Sequence, residues 1–157
     1  MADVSLTAAD GFEFSAYQRM PEGAPRGAAV VIQEIFGVNA HIRNVVDGYA
    51  DAGYAAIAPA LFDRLERNVQ LGYAEEEDWN KGMKLAFEQF DRAAGIRDMQ
   101  AAVDAVGQYG KVGLVGYCFG GLMAWIAAEE VTGLSAVSSY YGGMIGQESH
   151  RKPACPV

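Results

Sequence analysis

Apolar and polar residues alternate over residues 4–7 and again over 11–17, with Ala8-Ala9-Asp10-Gly11 between the two runs. That period of two predicts an antiparallel hairpin at the edge of a sheet. After a turn over residues 21–27, Ala28-Ala29-Val30-Val31-Ile32 is short, continuous and apolar, the pattern of a strand buried on both faces. Asn39 can cap a helix running through His41, Val45, Val46 and Tyr49 to Ala52, and Gly53 stops it. Residues 54–58 form another buried strand, closed by Pro59.

The middle is more polar. Residues 60–72 have no clear period and read as a loop or lid. Glu75-Glu76-Glu77-Asp78 precede a helical stripe of Trp79, Met83, Phe87, Phe90 and Ala94. Four acids there complement the helix dipole and face solvent. Gly95 separates that stripe from a second one, Ile96, Met99, Val103 and Val106. Residues 134–141 read as a strand ended by Gly142-Gly143, and residues 152–157 as the entry to one more. Strands alternating with helices predict an α/β fold, a mainly parallel sheet with helices on both faces. Ligands on such sheets bind beyond the carboxyl ends of the strands.

One stretch carries chemistry. Residues 111–121 read Lys-Val-Gly-Leu-Val-Gly-Tyr-Cys-Phe-Gly-Gly, and a small-residue helix pattern follows at once. A buried strand, a sharp turn and a helix with Cys118 at the apex is the arrangement of a nucleophile elbow. Free N–H groups and the positive dipole end at the helix start favour a thiolate and a developing oxyanion. The loop after Ile32, Gln33-Glu34-Ile35-Phe36-Gly37-Val38-Asn39, should meet the elbow at the same edge of the sheet.

Composition narrows the reading. The chain has 157 residues, enough for one domain with a proper core, and 51% hydrophobic against 20% charged residues fits a globular protein. A formal net charge of −8 and the lack of a basic stripe argue against nucleic acid. No apolar run approaches the ~18 residues of a membrane span. Two cysteines, Cys118 and Cys155, make no disulfide framework, and a reactive thiol fits a reducing, cytoplasmic setting.

The segments Gln-Glu-Ile-Phe-Gly-Val-Asn, Gly-Tyr-Ala-Ala-Ile-Ala-Pro, Gly-Tyr-Cys-Phe-Gly-Gly and Tyr-Tyr-Gly follow one another as in the dienelactone hydrolase family, which the chain resembles over almost its whole length. The resemblance implies an α/β-hydrolase fold and the opening of unsaturated cyclic esters through a thioester, with no metal or organic cofactor. It implies Cys118 as nucleophile and Glu34 as the carboxylate that contacts the thiol and helps form the thiolate. The backbone N–H groups of Ile35 and Phe119 would form the oxyanion hole. On this reading Glu34→Gln slows the reaction of the thiol at neutral pH.

The pattern departs from the family at its end. Hydrolases of this fold place an acid and then a histidine after the nucleophile, and both are expected beyond Val157, with the C-terminal strands. The chain thus reads as a C-terminally incomplete α/β-hydrolase domain over residues 1–157, expected to stall as a thioester and to leave a sheet edge uncovered. His150 lies in a polar stretch, and His41 reads as a helix-face histidine. Arg43, Arg64, Arg67 and Lys81 read as surface charge before carboxylate receptors. Two further readings stay open: a class I glutamine-amidotransferase-like cysteine elbow, and a hydrolase fold kept for binding or assembly. Oligomeric state is not legible.

Overall fold

The computed structural model describes residues 2–148 and 150–157; Met1, at the start, and Ser149, in the polar stretch before residue 152, lie outside the described residues. Six strands form one mixed sheet: β1 (Ala2–Thr7), β2 (Glu13–Arg19), β3 (Ala28–Ile32), β4 (Ala55–Pro59), β5 (Val112–Tyr117) and β6 (Leu134–Tyr140), in the order β1-β2-β4-β3-β5-β6. The expected edge hairpin is present, with β1 antiparallel to β2 in the register Val4↔Ala16. β2 is antiparallel to β4, and β4, β3, β5 and β6 run parallel to one another. β3 and β4 are buried at every position because helices cover both faces there.

α1 (Ala40–Asp51) packs on one face through Ile42 and Val46 against Ala29, Val31, Ala56, Ala58 and Val115. Its cap is the expected one, Asn39 accepting from the Ile42 N–H. The opposite face carries the larger core, built by α3 (Arg92–Gly107) and α4 (Phe119–Glu130) over Val30, Ile32, Ile57 and Leu114. α4 is apolar nearly all round and is buried accordingly, against β5, β6 and the neighbouring α3. On the α1 face, a groove of about 480 Å³ remains between Tyr49, Tyr54 and the strands β5 and β6.

Two expectations change. The break between the middle helices does not fall at Gly95. α2 (Glu76–Met83) runs into a π-helical turn at Lys84–Gln89, and the chain then breaks at Phe90 and Asp91. The Asp91 side chain caps α3 by accepting from the Ala94 N–H. Gly95 lies inside α3 because the Phe90 ring occupies its side-chain space: a β-carbon there would stand 2.8 Å from Phe90 Cε1. Residues 60–72 are also less of a lid than expected. A short 3₁₀ turn, Leu61–Arg64, buries Leu61, Phe62 and Asp63.

The end of the chain lies beside β6, where the Pro156 carbonyl accepts from the Val137 N–H. Among the described residues no helix is long and apolar enough to cross a membrane.

Candidate active site

The parallel register brings the chemistry together. Ile32 pairs with Gly116, and Tyr117 with Tyr140, so the residues just beyond β3, β5 and β6 share one edge of the sheet. They are Glu34, Cys118 and Tyr141.

Cys118 sits at φ 55°, ψ −118°, a region that costs a residue with a side chain on the order of 1–3 kcal/mol. The surroundings impose it. The Cys118 N–H donates to the Tyr140 carbonyl, while its own carbonyl already accepts from Gly121 and Leu122 in the first turn of α4. The glycines either side make the turn sterically possible. A β-carbon on Gly120 would stand 2.5 Å from the Ile32 carbonyl oxygen, and one on Gly116 would overlap the Gly120 carbonyl. Phe119 anchors the turn from below, its ring 5.1 Å from Phe90 and 5.7 Å from Phe62.

The half-buried Cys118 thiol is pushed up from its ordinary value, first by burial and also by the charge of Glu34; the Phe119 N–H, which faces the sulfur, pulls it down. In this arrangement the thiol is protonated at neutral pH. Glu34 is buried, and it does not spend its oxygens on the thiol. The Tyr73 hydroxyl donates to Oε2 at 2.6 Å and the Tyr141 hydroxyl to Oε1 at 3.1 Å. The Glu34 loop itself is pinned by buried Gln33, whose side-chain oxygen accepts from the Leu61 N–H. Ile35 is 1% exposed and packs into the core just beyond Glu34.

The rest of the entrance is aromatic. Tyr73 packs on Phe36 at 4.4 Å, and Trp79 donates through its indole N–H to the Tyr73 carbonyl. Asp78, from the acidic run, accepts from the Gly72 N–H and so ties the same segment to α2. His41 is exposed at the rim, edge-on to Tyr73 and Tyr117. His150 lies elsewhere, its backbone N–H donating to Glu129.

The four cations weighed from sequence are engaged with acids. Arg43 pairs with Asp3, Arg64 with Asp98 and Asp10, Arg67 with Asp63, and Lys81 with Glu66. Sequence reasoning missed Tyr73, Tyr141 and Gln33. Tyr141 had a usable signal, since it directly follows a parallel strand at the carboxyl edge; Tyr73, in an aperiodic segment, had none.

The chain belongs to the dienelactone hydrolase family, whose profile matches residues 14–156. It is 39% identical over 153 residues to a carboxymethylenebutenolidase of Pseudomonas putida, covering 95% of this chain and 63% of that protein. Against carboxymethylenebutenolidase 1 of Cupriavidus pinatubonensis, identity is 32% over 144 residues, covering 88% of this chain and 60% of the relative. A crystal structure named "putative dienelactone hydrolase" from Klebsiella pneumoniae subsp. pneumoniae superposes with a TM-score of 0.75 at 27% identity, covering 98% of this chain and 65% of that one. The fold is therefore that of the α/β-hydrolases, and the chain spans somewhat under two thirds of the length of these relatives. That membership sets aside the amidotransferase-like reading of the elbow, because the match takes in the Glu-Ile-Phe-Gly loop as well as the elbow.

Proposed function

We propose that this chain provides the acylation machinery of a carboxylic-ester hydrolase acting on dienelactone-type cyclic esters, or related small esters, through Cys118. The observation that carries the reading is the strained apex at Cys118, held above the sheet beside Glu34 and the first turn of α4. Strain of this kind persists where the surroundings enforce it, and a nucleophile held clear of its strand is its common use. The names of the relatives point to the same substrate class.

In the proposed step the thiol sulfur attacks the ester carbonyl and its proton passes to Glu34. The N–H groups of Ile35 and Phe119 receive the oxyanion, the C–O bond breaks, and the leaving oxygen takes up the proton. The product is a thioester on Cys118 that water must then hydrolyse. We place the acid and histidine needed to activate that water in the part of the relatives' length that this chain does not span. Both cysteines are free, which suits a reducing, cytoplasmic setting.

The test is acylation of the 157-residue chain by an activated nitrophenyl ester, followed by mass spectrometry. A single burst of nitrophenol with one acyl group on Cys118, both lost in Cys118→Ala, is the expected result. An adduct elsewhere, or none, would leave the hydrolase fold without catalysis. Sustained turnover dependent on Cys118 would mean that the base lies within these residues, and would return His41 and His150 to consideration.

A further inference from the structure

Glu34 is held by phenols from two distant parts of the chain, 39 and 107 residues away in sequence. One stands before α2 and the other just beyond β6. Both tyrosines are largely exposed, at 46% and 66%, yet both hydroxyls turn inward to the one buried carboxylate. Tyr141 reaches it with its backbone at φ 40°, a region uncommon for a residue with a side chain. Each carboxylate oxygen thus has a donor, and neither donor is Cys118.

We propose that Tyr73 and Tyr141 form a hydroxyl clamp that holds the Glu34 carboxylate off the Cys118 thiol, making them positioning residues for the acylation step. The proposal rests on the reading of Cys118 as nucleophile. The charge of Glu34 reaches the thiol, so the carboxylate is near enough to matter to it. The clamp nevertheless gives both its oxygens to other donors. The two phenols are themselves pushed up to about 12, by burial first and by Glu34 as well, so they stay protonated and keep donating across the working pH range. The Asn39 side chain also hydrogen-bonds the Tyr73 hydroxyl, and His41 lies edge-on to Tyr73 and Tyr117.

A carboxylate that loses one charge-assisted hydrogen bond shifts its balance between two orientations by about tenfold. Tyr73→Phe removes the shorter bond while keeping the ring on Phe36, and Tyr141→Phe removes the longer one. The direct readout is the S–H stretching band of Cys118 by Raman spectroscopy, with Cys155→Ala to leave one thiol. In Tyr73→Phe, and more so in the double variant, the band should move to lower frequency as the freed carboxylate accepts from the thiol. Acylation by an activated ester should rise by up to about tenfold at saturating ester, with a smaller gain in Tyr141→Phe.

Both effects should vanish in a Glu34→Gln background. An unmoved band in the double variant would overturn the clamp, as would an equal shift with and without Glu34, because mere loosening of the site does not depend on the carboxylate. A band that shifts while no ester acylates Cys118 in any variant would uphold the clamp and sink the hydrolase reading instead.

Discussion

Glu34 and Asp98 are both carboxylates withdrawn from water, 9% and 1% exposed, and they are held in opposite ways. Asp98 meets the Arg64 guanidinium through two bonds, Nε to Oδ2 at 2.9 Å and Nη2 to Oδ1 at 2.8 Å. Asp63, equally buried, receives the backbone N–H groups of Ser15 and Asn68 and the Arg67 side chain. Those acids face cations or amides that depend on them in return, so moving them would strand a partner. Both hydrogen bonds to the Glu34 oxygens come from neutral hydroxyls, which can turn to another acceptor at small cost. A buried charge committed to a cation serves the fold, and one held by neutral phenols is left for the proposed acylation step.

The contrast is broken most forcefully at Arg64. Arg64→Ala leaves the Asp98 carboxylate buried without its partner, which costs about 3–5 kcal/mol and should lower the melting temperature by about 10 °C. Calorimetry of Arg64→Met with Asp98→Leu should recover most of that loss, since apolar side chains of similar volume replace a buried pair well. Alkylation of Cys118 should stay unchanged in both variants when measured well below their melting points. A change there would mean that the structural acids and the site are not separate.

The elements that carry Cys118 were readable because their signals are local. A β-branched run, glycines at tight spacing and a small-residue helix all fall within residues 111–128, and Asn39 caps α1 three residues from the N–H it satisfies. The carboxylate clamp was not readable. Its members come from three segments whose meeting depends on the order β3-β5-β6 and on where the stretch before α2 folds back. The helix break was misplaced for a related reason. Gly95 resembles a stop, yet its lack of a side chain serves the Phe90 ring, a packing fact that the sequence does not print. Asp91, the actual cap, was legible in principle, since an aspartate three residues ahead of a free N–H is a local signal. Arg64 read as surface charge because Asp98 lies 34 residues further on, in another helix.

A smaller effect tests Glu34 itself, and here the structure reverses a sign. From sequence, removing the carboxylate should slow the resting thiol. In the structure the Glu34 charge is one of the causes that raise Cys118, so the thiolate appears only on the alkaline side of a pKa above the ordinary value. Glu34→Gln removes that cause while burial remains. The alkylation curve should therefore move to lower pH, and the rate at pH 8 should rise a few-fold, by less than the tenfold of a full unit. Acylation by an ester at neutral pH should fall, because the proposed proton acceptor is gone. The folded state should change by less than about 1 kcal/mol, the usual scale of one hydrogen bond, since the amide oxygen can still accept from a tyrosine. A curve that moves to higher pH would restore the expectation drawn from sequence, and Glu34 would then behave as a base in the resting protein too.

The smallest effect separates the two thiols. Cys155 is partly buried and packs against the larger core, and burial alone raises it; it has neither a facing helix N–H nor a neighbouring carboxylate among the causes. Cys118 shares the burial but gains the Phe119 N–H, which favours its thiolate. Limited iodoacetamide at pH 8, read by peptide mass spectrometry on folded protein, should label Cys118 first, by a factor of a few and no more. The preference should widen in Glu34→Gln, where one of the causes opposing the Cys118 thiolate is removed and Cys155 is untouched. Preferential labelling of Cys155 would mean that the chain end opens from the Ala128 carbonyl, which holds the Ala154 N–H, more readily than the elbow admits a reagent. That result would place the weakest point of the fold beside β6, away from the strained turn at Cys118.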